Sequence, residues 1–445
     1  MPPKVGHGGT ICRRNDLEQN VAPMTSSLRL RVRSVALMNR LGPGLVTGAA
    51  DDDPSGIATY SQAGAQAGFG LLWTMLLTYP LMSAVQLVSA QIGRVTGCGL
   101  AANMRHVLPP WGVSAIVALL FVANTINIGA DLAAMGDAGQ LVTGLSSHAL
   151  TVGFAVISLV LQLFLNYRHY ARMLKWLTLS LLAYAAVLAL VRIDWSGIVR
   201  GLVIPHVGGA DQATLIVAVF GTTISPYLFF WQSAQEVEEV SAAPAARPLK
   251  RAPWQAVREL KRIRFDTLGG MAFSNLIALA IMIACAATLH AAGKRTINTA
   301  AEAAQALRPV AGEHAFLLFA AGIIGTGLLA VPVLAGSAAY AIGESRGWKC
   351  GLEHKPWEAR GFYAVIGAAT LMGIAVDWSP VSPIKALLWS AVLNGIIAVP
   401  LMVAMMLVVS SRTAMGNFVV NPAVRWLGWT ATAVMAVAVV AMAVV

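Results

Sequence analysis

The stretch LVTGAADDDPSGIATYSQAGAQ sets Asp51, Asp52 and Asp53 side by side in front of Pro54, within an otherwise apolar run. Carboxylates are hard oxygen ligands. The proline removes a backbone donor and pushes the residue before it out of helical geometry, and Ser55 and Gly56 favour a cap and a turn. Acids, a hydroxyl and freed carbonyls together form an all-oxygen, negatively charged nest suited to a hard divalent cation. The same residues also read as a surface turn whose acids cap a helix starting at Pro54.

A second broken stretch supplies what a partner site would need. In TLIVAVFGTTISPYLFFWQSAQEVEE, Gly221, Thr222, Thr223, Ser225 and Pro226 interrupt an apolar run. Further polar groups stand in FVANTINIGADLAAMGD, where Asn124, Asn127 and Asp131 are three and four residues apart and share one helix face. Such a face either lines a polar pathway or bonds neighbouring helices. Asn394, beside Gly395 in WSAVLNGIIAVP, marks either a kink or a ligand.

These groups have to be held by membrane helices. Of 445 residues, 57% are hydrophobic and only 11% charged, against about 25% charged in soluble domains. Apolar segments near the 20 residues needed to span a bilayer predict eleven spans: 41–66, 70–92, 112–144, 150–166, 173–192, 212–236, 268–290, 314–341, 361–377, 382–410 and 422–444. The net charge of +11 does not point to nucleic acid. With the N-terminus cytoplasmic, 25 of the 31 Lys and Arg fall on inner segments and 6 on outer ones, as the positive-inside rule requires. An odd number of spans puts the C-terminus outside, in a multi-pass protein of the cytoplasmic membrane.

Residues 1–35 read as a polar cytoplasmic tail, without the apolar core and cleavage site of a signal peptide. A transporter-like core follows over 36–410, and an additional helix over 411–445. The polar insertion at 237–266 reads as a cytoplasmic linker; WQAVRELKRIR within it suits an amphipathic helix on the anionic leaflet, or a solvated loop. Cys12, Cys98, Cys285 and Cys350 share no metal spacing and read as lone thiols.

The breaks fall in the first and sixth spans, five apart, so 41–192 and 212–410 are expected to be structural repeats. Paired, Gly/Pro-interrupted spans in two halves point to a transporter's substrate site, because unwound backbone survives in a membrane only where protein or a cavity replaces lipid. An Asp at a helix centre costs roughly 2.5–3.5 kcal/mol on insertion scales, so three in a row need partners.

With these features in view, the chain resembles the NRAMP family (natural resistance-associated macrophage proteins) of divalent-metal transporters. LGPGLVTGAADDDPSG, SQAGAQAGFGLLW, GRVTGCGLAANMR and ADLAAMG follow that family's first three spans in order, and FGTTISPYLFFWQSA takes the place of its sixth. The resemblance covers about 40–410. It implies an all-α LeuT-like fold with inverted five-helix repeats and a mid-membrane metal site between unwound spans one and six.

Carried over residue by residue, the family's Asp-Pro-Gly-Asn reads Asp53-Pro54-Ser55-Gly56, so the Asp ligand is kept and the Asn ligand is lost. The ligand carbonyl three residues earlier falls at Ala50. Met-Pro-His reads Ser225-Pro226-Tyr227, which replaces a thioether by a hydroxyl, and the sixth-span carbonyl falls at Thr222. The Asp of the family's proton route is kept as Asp131; its Glu partner is Ala134 and its His is Tyr227. A thioether favours softer ions. An oxygen-only set with Asp51 and Asp52 nearby is therefore expected to admit Mg²⁺ as well as Mn²⁺, as in the related magnesium-transporter branch.

Weak or absent proton coupling follows from the lost route groups, since Tyr with a reference pKa of about 10 carries protons poorly near neutrality. The expected protein is a monomeric carrier of a divalent cation, embedded in lipid, with no cofactor and no enzymatic activity. The rival readings are an ordinary proton-coupled Mn²⁺/Fe²⁺ symporter, a carrier of a small organic cation, and a non-transporting metal sensor.

Overall fold

The computed structural model describes residues 43–164, 179–191, 193–206 and 208–444. The tail at 1–35, the end of the fourth expected span and part of the fifth lie outside the described residues. Within them the chain is helical, and no strand occurs. Nine helical stretches are long and apolar enough to cross a membrane. The first expected span escapes that measure because every stretch of spanning length within it contains the three acids Asp51, Asp52 and Asp53.

We label the main helices α1 (Pro43–Asp51), α2 (Pro54–Ala67), α3 (Trp73–Thr96), α4 (Pro110–Thr143), α5 (Ser147–Phe164), α6 (Leu182–Leu190), α7 (Ala210–Thr223), α8 (Pro226–Ala242), α9 (Ala256–Cys285), α10 (Ala315–Arg346), α11 (Arg360–Ile374), α12 (Pro383–Ser410) and α13 (Pro422–Val444). Short helical turns join several of them. Local chemistry sets the boundaries. Pro110, Pro226 and Pro383 open their helices at the first position, where the missing N–H costs nothing. Gly97, Gly144 and Gly347 close α3, α4 and α10 in the left-handed conformation.

The two breaks are short. Between α1 and α2 only Asp52 and Asp53 leave the helix, and Asp53 is extended at φ −70°, ψ 170°. Between α7 and α8 only Ile224 and Ser225 do so. Each second half starts on the proline that the sequence places there, Pro54 or Pro226. The basic part of the 237–266 insertion is continuous with a membrane span: α9 runs unbroken from Ala256 to Cys285 and ends in a π-turn at Ala286–His290. Thirty residues make about 45 Å of helix, more than the roughly 30 Å hydrocarbon core, so its basic end projects beyond the apolar layer.

The broken helices occupy the interior. α1 and α2 pack on α9, α7 packs on α12, α8 on α3 and α10, and α4 on α10. Small residues permit a close crossing: a Cβ on Gly48 would lie 2.4 Å from the Gly270 carbonyl oxygen of α9. Gly48→Ala is therefore expected to force α1 and α9 apart, at about 1–3 kcal/mol for overpacking. Thermal unfolding in detergent should show a midpoint lowered by several degrees; an unchanged midpoint would mean that these helices do not cross there. Of the cysteines, Cys285 and Cys350 are free thiols, as expected, whereas Cys98 is disulfide-bonded and departs from the lone-thiol reading.

Candidate metal centre

Asp51, Asp52 and Asp53 are 0%, 2% and 1% exposed, which rules out a surface turn. The capping half of that reading holds nonetheless. Asp53 is the N-cap of α2, and its Oδ1 accepts from the Gly56 amide at 2.7 Å and the Ser55 hydroxyl at 2.6 Å. Its other oxygen faces across the protein, where Asn127 Nδ2 on α4 donates to Oδ2 at 3.0 Å. The Tyr227 hydroxyl on α8 lies 3.5 Å from Oδ2 and donates to the Ala50 carbonyl at 3.1 Å. One carboxylate thus touches the second half of the first span, the third span and the second half of the sixth.

The neighbouring acids face another way. Ser274 Oγ on α9 stands 2.7 Å from Asp51 Oδ2 and 3.1 Å from Asp52 Oδ1. Asp51 and Asp52 are therefore directed to the seventh span and Asp53 to the third and sixth. The expected trio of carboxylates is split between two sides of one break, and among the described residues no three acidic, His or Cys side chains converge into a ready metal cage. Ser274 was not singled out in the sequence, because a lone serine in GGMAFSNLIALA has no mark distinguishing it from an ordinary helix–helix contact.

The sixth-span break lies against the first. A Cβ on Gly56 would meet Thr222 Oγ1 at 3.2 Å, and the Tyr60 hydroxyl is 3.2 Å from Thr223 Oγ1. Ser225 Oγ turns back to donate to the Thr222 carbonyl at 2.6 Å and lies 3.1 Å from that of Gly221. Two of the expected ligand oxygens, the Ser225 hydroxyl and the Thr222 carbonyl, are thus bonded to each other. Gly221 lets α12 approach: a Cβ there would sit 2.1 Å from the Ala391 carbonyl oxygen. This brings Asn394, 1% exposed, to the neighbourhood of the break, with neither side-chain atom bonded.

Among the expected pathway residues, Asn127 and Asp131 reach the centre and Asn124 does not. Asn124 Nδ2 donates to the Leu334 carbonyl and to Ser337 Oγ on α10, both at 2.8 Å, which is helix–helix bonding. Asp131 is fully buried; its two oxygens make no well-formed hydrogen bond, although the Ser55 amide faces it.

Four buried acids therefore gather around the paired breaks, and among the described residues no Lys or Arg pairs with any of them. Asp51 Oδ1, Thr222 Oγ1 and Asn127 Oδ1 are also buried without a partner. An unsatisfied buried polar group costs about 1–3 kcal/mol, and more when charged. So many in one place are stable only with cations or protons supplied from outside the chain. The donor set is entirely oxygen and nitrogen-free at its exposed lone pairs, which fits a hard divalent ion.

Helices broken in pairs around a buried acidic centre, inside a bundle of helices long and apolar enough to span a membrane, are the architecture of a LeuT-like transporter fold. Residues 44–445 match the family described as natural resistance-associated macrophage protein-like, and the chain belongs to that Nramp family of divalent-metal transporters. Its members are carriers rather than enzymes, and the metal is cargo, not a cofactor.

The chain is 28% identical over 304 residues to the divalent metal cation transporter MntH of Acidiphilium cryptum, covering 64% of this chain and 65% of that protein. It is 27% identical to MntH of Aeromonas hydrophila over 65% of this chain and 69% of the other. Among solved structures, the manganese transporter of Eremococcus coleocola superposes with a TM-score of 0.71 at 16% identity, over 92% of this chain and 87% of that one. Mhp1, a nucleobase-cation-symport-1 family transporter, superposes at 0.55 and 13% identity, over 90% and 92%. At those identities the superpositions speak to the fold alone.

Proposed function

We propose that this chain imports a divalent metal cation across the cytoplasmic membrane by alternating access, as a monomer with its N-terminus inside and its C-terminus outside. Asp53 is the first ligand. The carbonyls of Ala50 and Thr222 and the hydroxyl of Ser225 complete an oxygen set, Asn394 approaches from α12, and Asp51 and Asp52 hold the water shell of the ion. Such a set takes Mg²⁺ as well as Mn²⁺, because no thioether favours the softer ion. One observation carries the reading: buried acids without a cationic partner among the described residues surround two facing chain breaks.

A second reading, the proton-coupled Mn²⁺ symporter, is favoured by Asp131, which stays buried and unpaired beside Asp53. It lacks the rest of a relay. Tyr227 spends its hydroxyl proton on the Ala50 carbonyl, and position 134 is alanine. Uptake of Mg²⁺, Mn²⁺ and Ca²⁺ into vesicles containing purified protein, with internal pH recorded, separates the readings. We expect Mg²⁺ and Mn²⁺ to enter with little acidification. Acidification in step with Mn²⁺ entry would establish the symporter, and metal binding without flux would establish a sensor.

A further inference from the structure

The projecting end of α9 has two faces with different work. Its inner face is packed: Glu259 and Arg262 join Arg94 of α3 and Glu236 of α8 in an ion-pair network, with Arg262 2.6 Å from Glu236 and 3.1 Å from Glu259. The outer face is basic and open. Arg258, Lys261 and Arg264 recur at three-residue spacing and are exposed; Arg258 is 87% exposed in its side chain and also pairs with Glu259 at 2.9 Å. Of the two acids at this end, Glu259 is buried and paired with Arg94, Arg258 and Arg262, and Asp266 accepts from the Gly44 amide at 2.7 Å.

Large apolar side chains share the open face. Trp254, Val257 and Phe265 are 75%, 85% and 83% exposed, and further along the same helix Phe273 and Leu276 continue the exposed apolar surface. A face that passes from apolar to basic along one helix follows the profile of a bilayer leaflet from acyl chains to headgroups. It is also not solitary. Ile263 joins Leu87 and Ala90 of α3 in a small buried cluster, against which Leu268 and Val424 of α13 also pack; Trp426, two residues on, is exposed. Residues 411–426 contain no acid.

We propose that the basic end of α9, flanked by the start of α13, is a binding site for the headgroup of an anionic phospholipid. Arg258, Lys261 and Arg264 take the phosphate and its charge, Trp254 and Trp426 sit at the headgroup level, and Phe265 lies against the upper acyl chain. The site is separate from the metal centre.

The test is native mass spectrometry of the purified full chain in detergent, titrated with phosphatidylglycerol and with phosphatidylcholine of the same acyl chains. We expect phosphatidylglycerol to bind about a hundred-fold tighter, from three basic groups at roughly 1 kcal/mol each. Each basic group near an anionic surface adds roughly a five-fold gain in affinity, so the triple variant R258Q/K261Q/R264Q should bind phosphatidylglycerol about a hundred-fold more weakly and leave phosphatidylcholine unchanged. A control triple on the other polar loop, K349Q/K355Q/R360Q, should stay within about two-fold of wild type. Equal affinity for the two lipids, or an equal loss in both triples, would overturn the site in favour of diffuse charge attraction. Should the first triple elute as aggregate, K261Q alone, at an exposed position, should still lower phosphatidylglycerol affinity about five-fold, and no change there would count equally against the proposal. No metal is added, so a failure here leaves the transport reading untouched.

Discussion

Asp53→Asn is expected to abolish divalent-metal uptake into vesicles while the protein remains folded. The amide keeps an oxygen for the Gly56 N–H, so the cap of α2 survives, and even complete loss of a cap costs only about 1 kcal/mol. What disappears is the charge. Residues that merely support a metal ligand change affinity by about 10–100-fold when altered, so removing the carboxylate nearest all three neighbouring spans should lower uptake by about a hundred-fold or more. Uptake is read with tracer Mn²⁺ and with Mg²⁺, against a monodisperse elution profile as the control for folding. Transport at the wild-type rate would remove Asp53 from the site. The Ala variant is expected to behave alike, with a small additional loss of stability.

Ser225→Met should convert an indifferent site into a discriminating one. In the wild type, millimolar Mg²⁺ is expected to suppress Mn²⁺ uptake, because hydroxyl, carbonyl and carboxylate ligands serve both ions. A thioether at position 225 gives Mn²⁺ a ligand that Mg²⁺ does not use, and roughly a ten-fold gain in discrimination follows. Ser225 is buried, so the longer side chain brings an overpacking cost of about 1–3 kcal/mol and a lower overall rate. The ratio of the two ions, not the rate, is the quantity to read. Mn²⁺ uptake that ignores millimolar Mg²⁺ in the wild type would remove the basis for the proposed hard site.

Much of this arrangement was legible in the residues. Acids and proline cannot continue an apolar helix, so the breaks at Asp52–Asp53 and Ile224–Ser225 were visible as ADDDPSG and TTISPY, and the five-span interval between them was countable. The common face of Asn127 and Asp131 followed from helical spacing. The direction of each acid was not legible. Whether a side chain beside a break turns to α4 or to α9 depends on the handedness of two or three irregular residues and on the packing around them. Adjacent aspartates therefore looked equivalent in sequence and are divided in space.

Asn124 lies on the same helical face as Asn127, yet a serine 213 residues away in sequence claims its amide. Periodicity contains no information about such a partner. The basic insertion was seen as amphipathic, but its continuity with the seventh span was hidden, because charged residues at 258–264 mask a helix that is decided by packing further along.

The short first half of the first span can be considered as a lever. It ends at the break Asp52–Asp53, and its nine residues make an arm of about 13 Å. Three neighbours hold it down. Thr47 bonds Gln232 of α8, the Gly44 amide bonds Asp266 at 2.7 Å, and Asp51, next to the break, accepts from Ser274 at 2.7 Å. A tilt of about 30° would swing the free end roughly 7 Å, more than two water diameters, without disturbing the cap that fixes Asp53 to α2. Each latch contributes about 1 kcal/mol net, and the close crossing of Gly48 on Gly270 adds to them, so anything that frees this arm has to release hydrogen bonds and packing together.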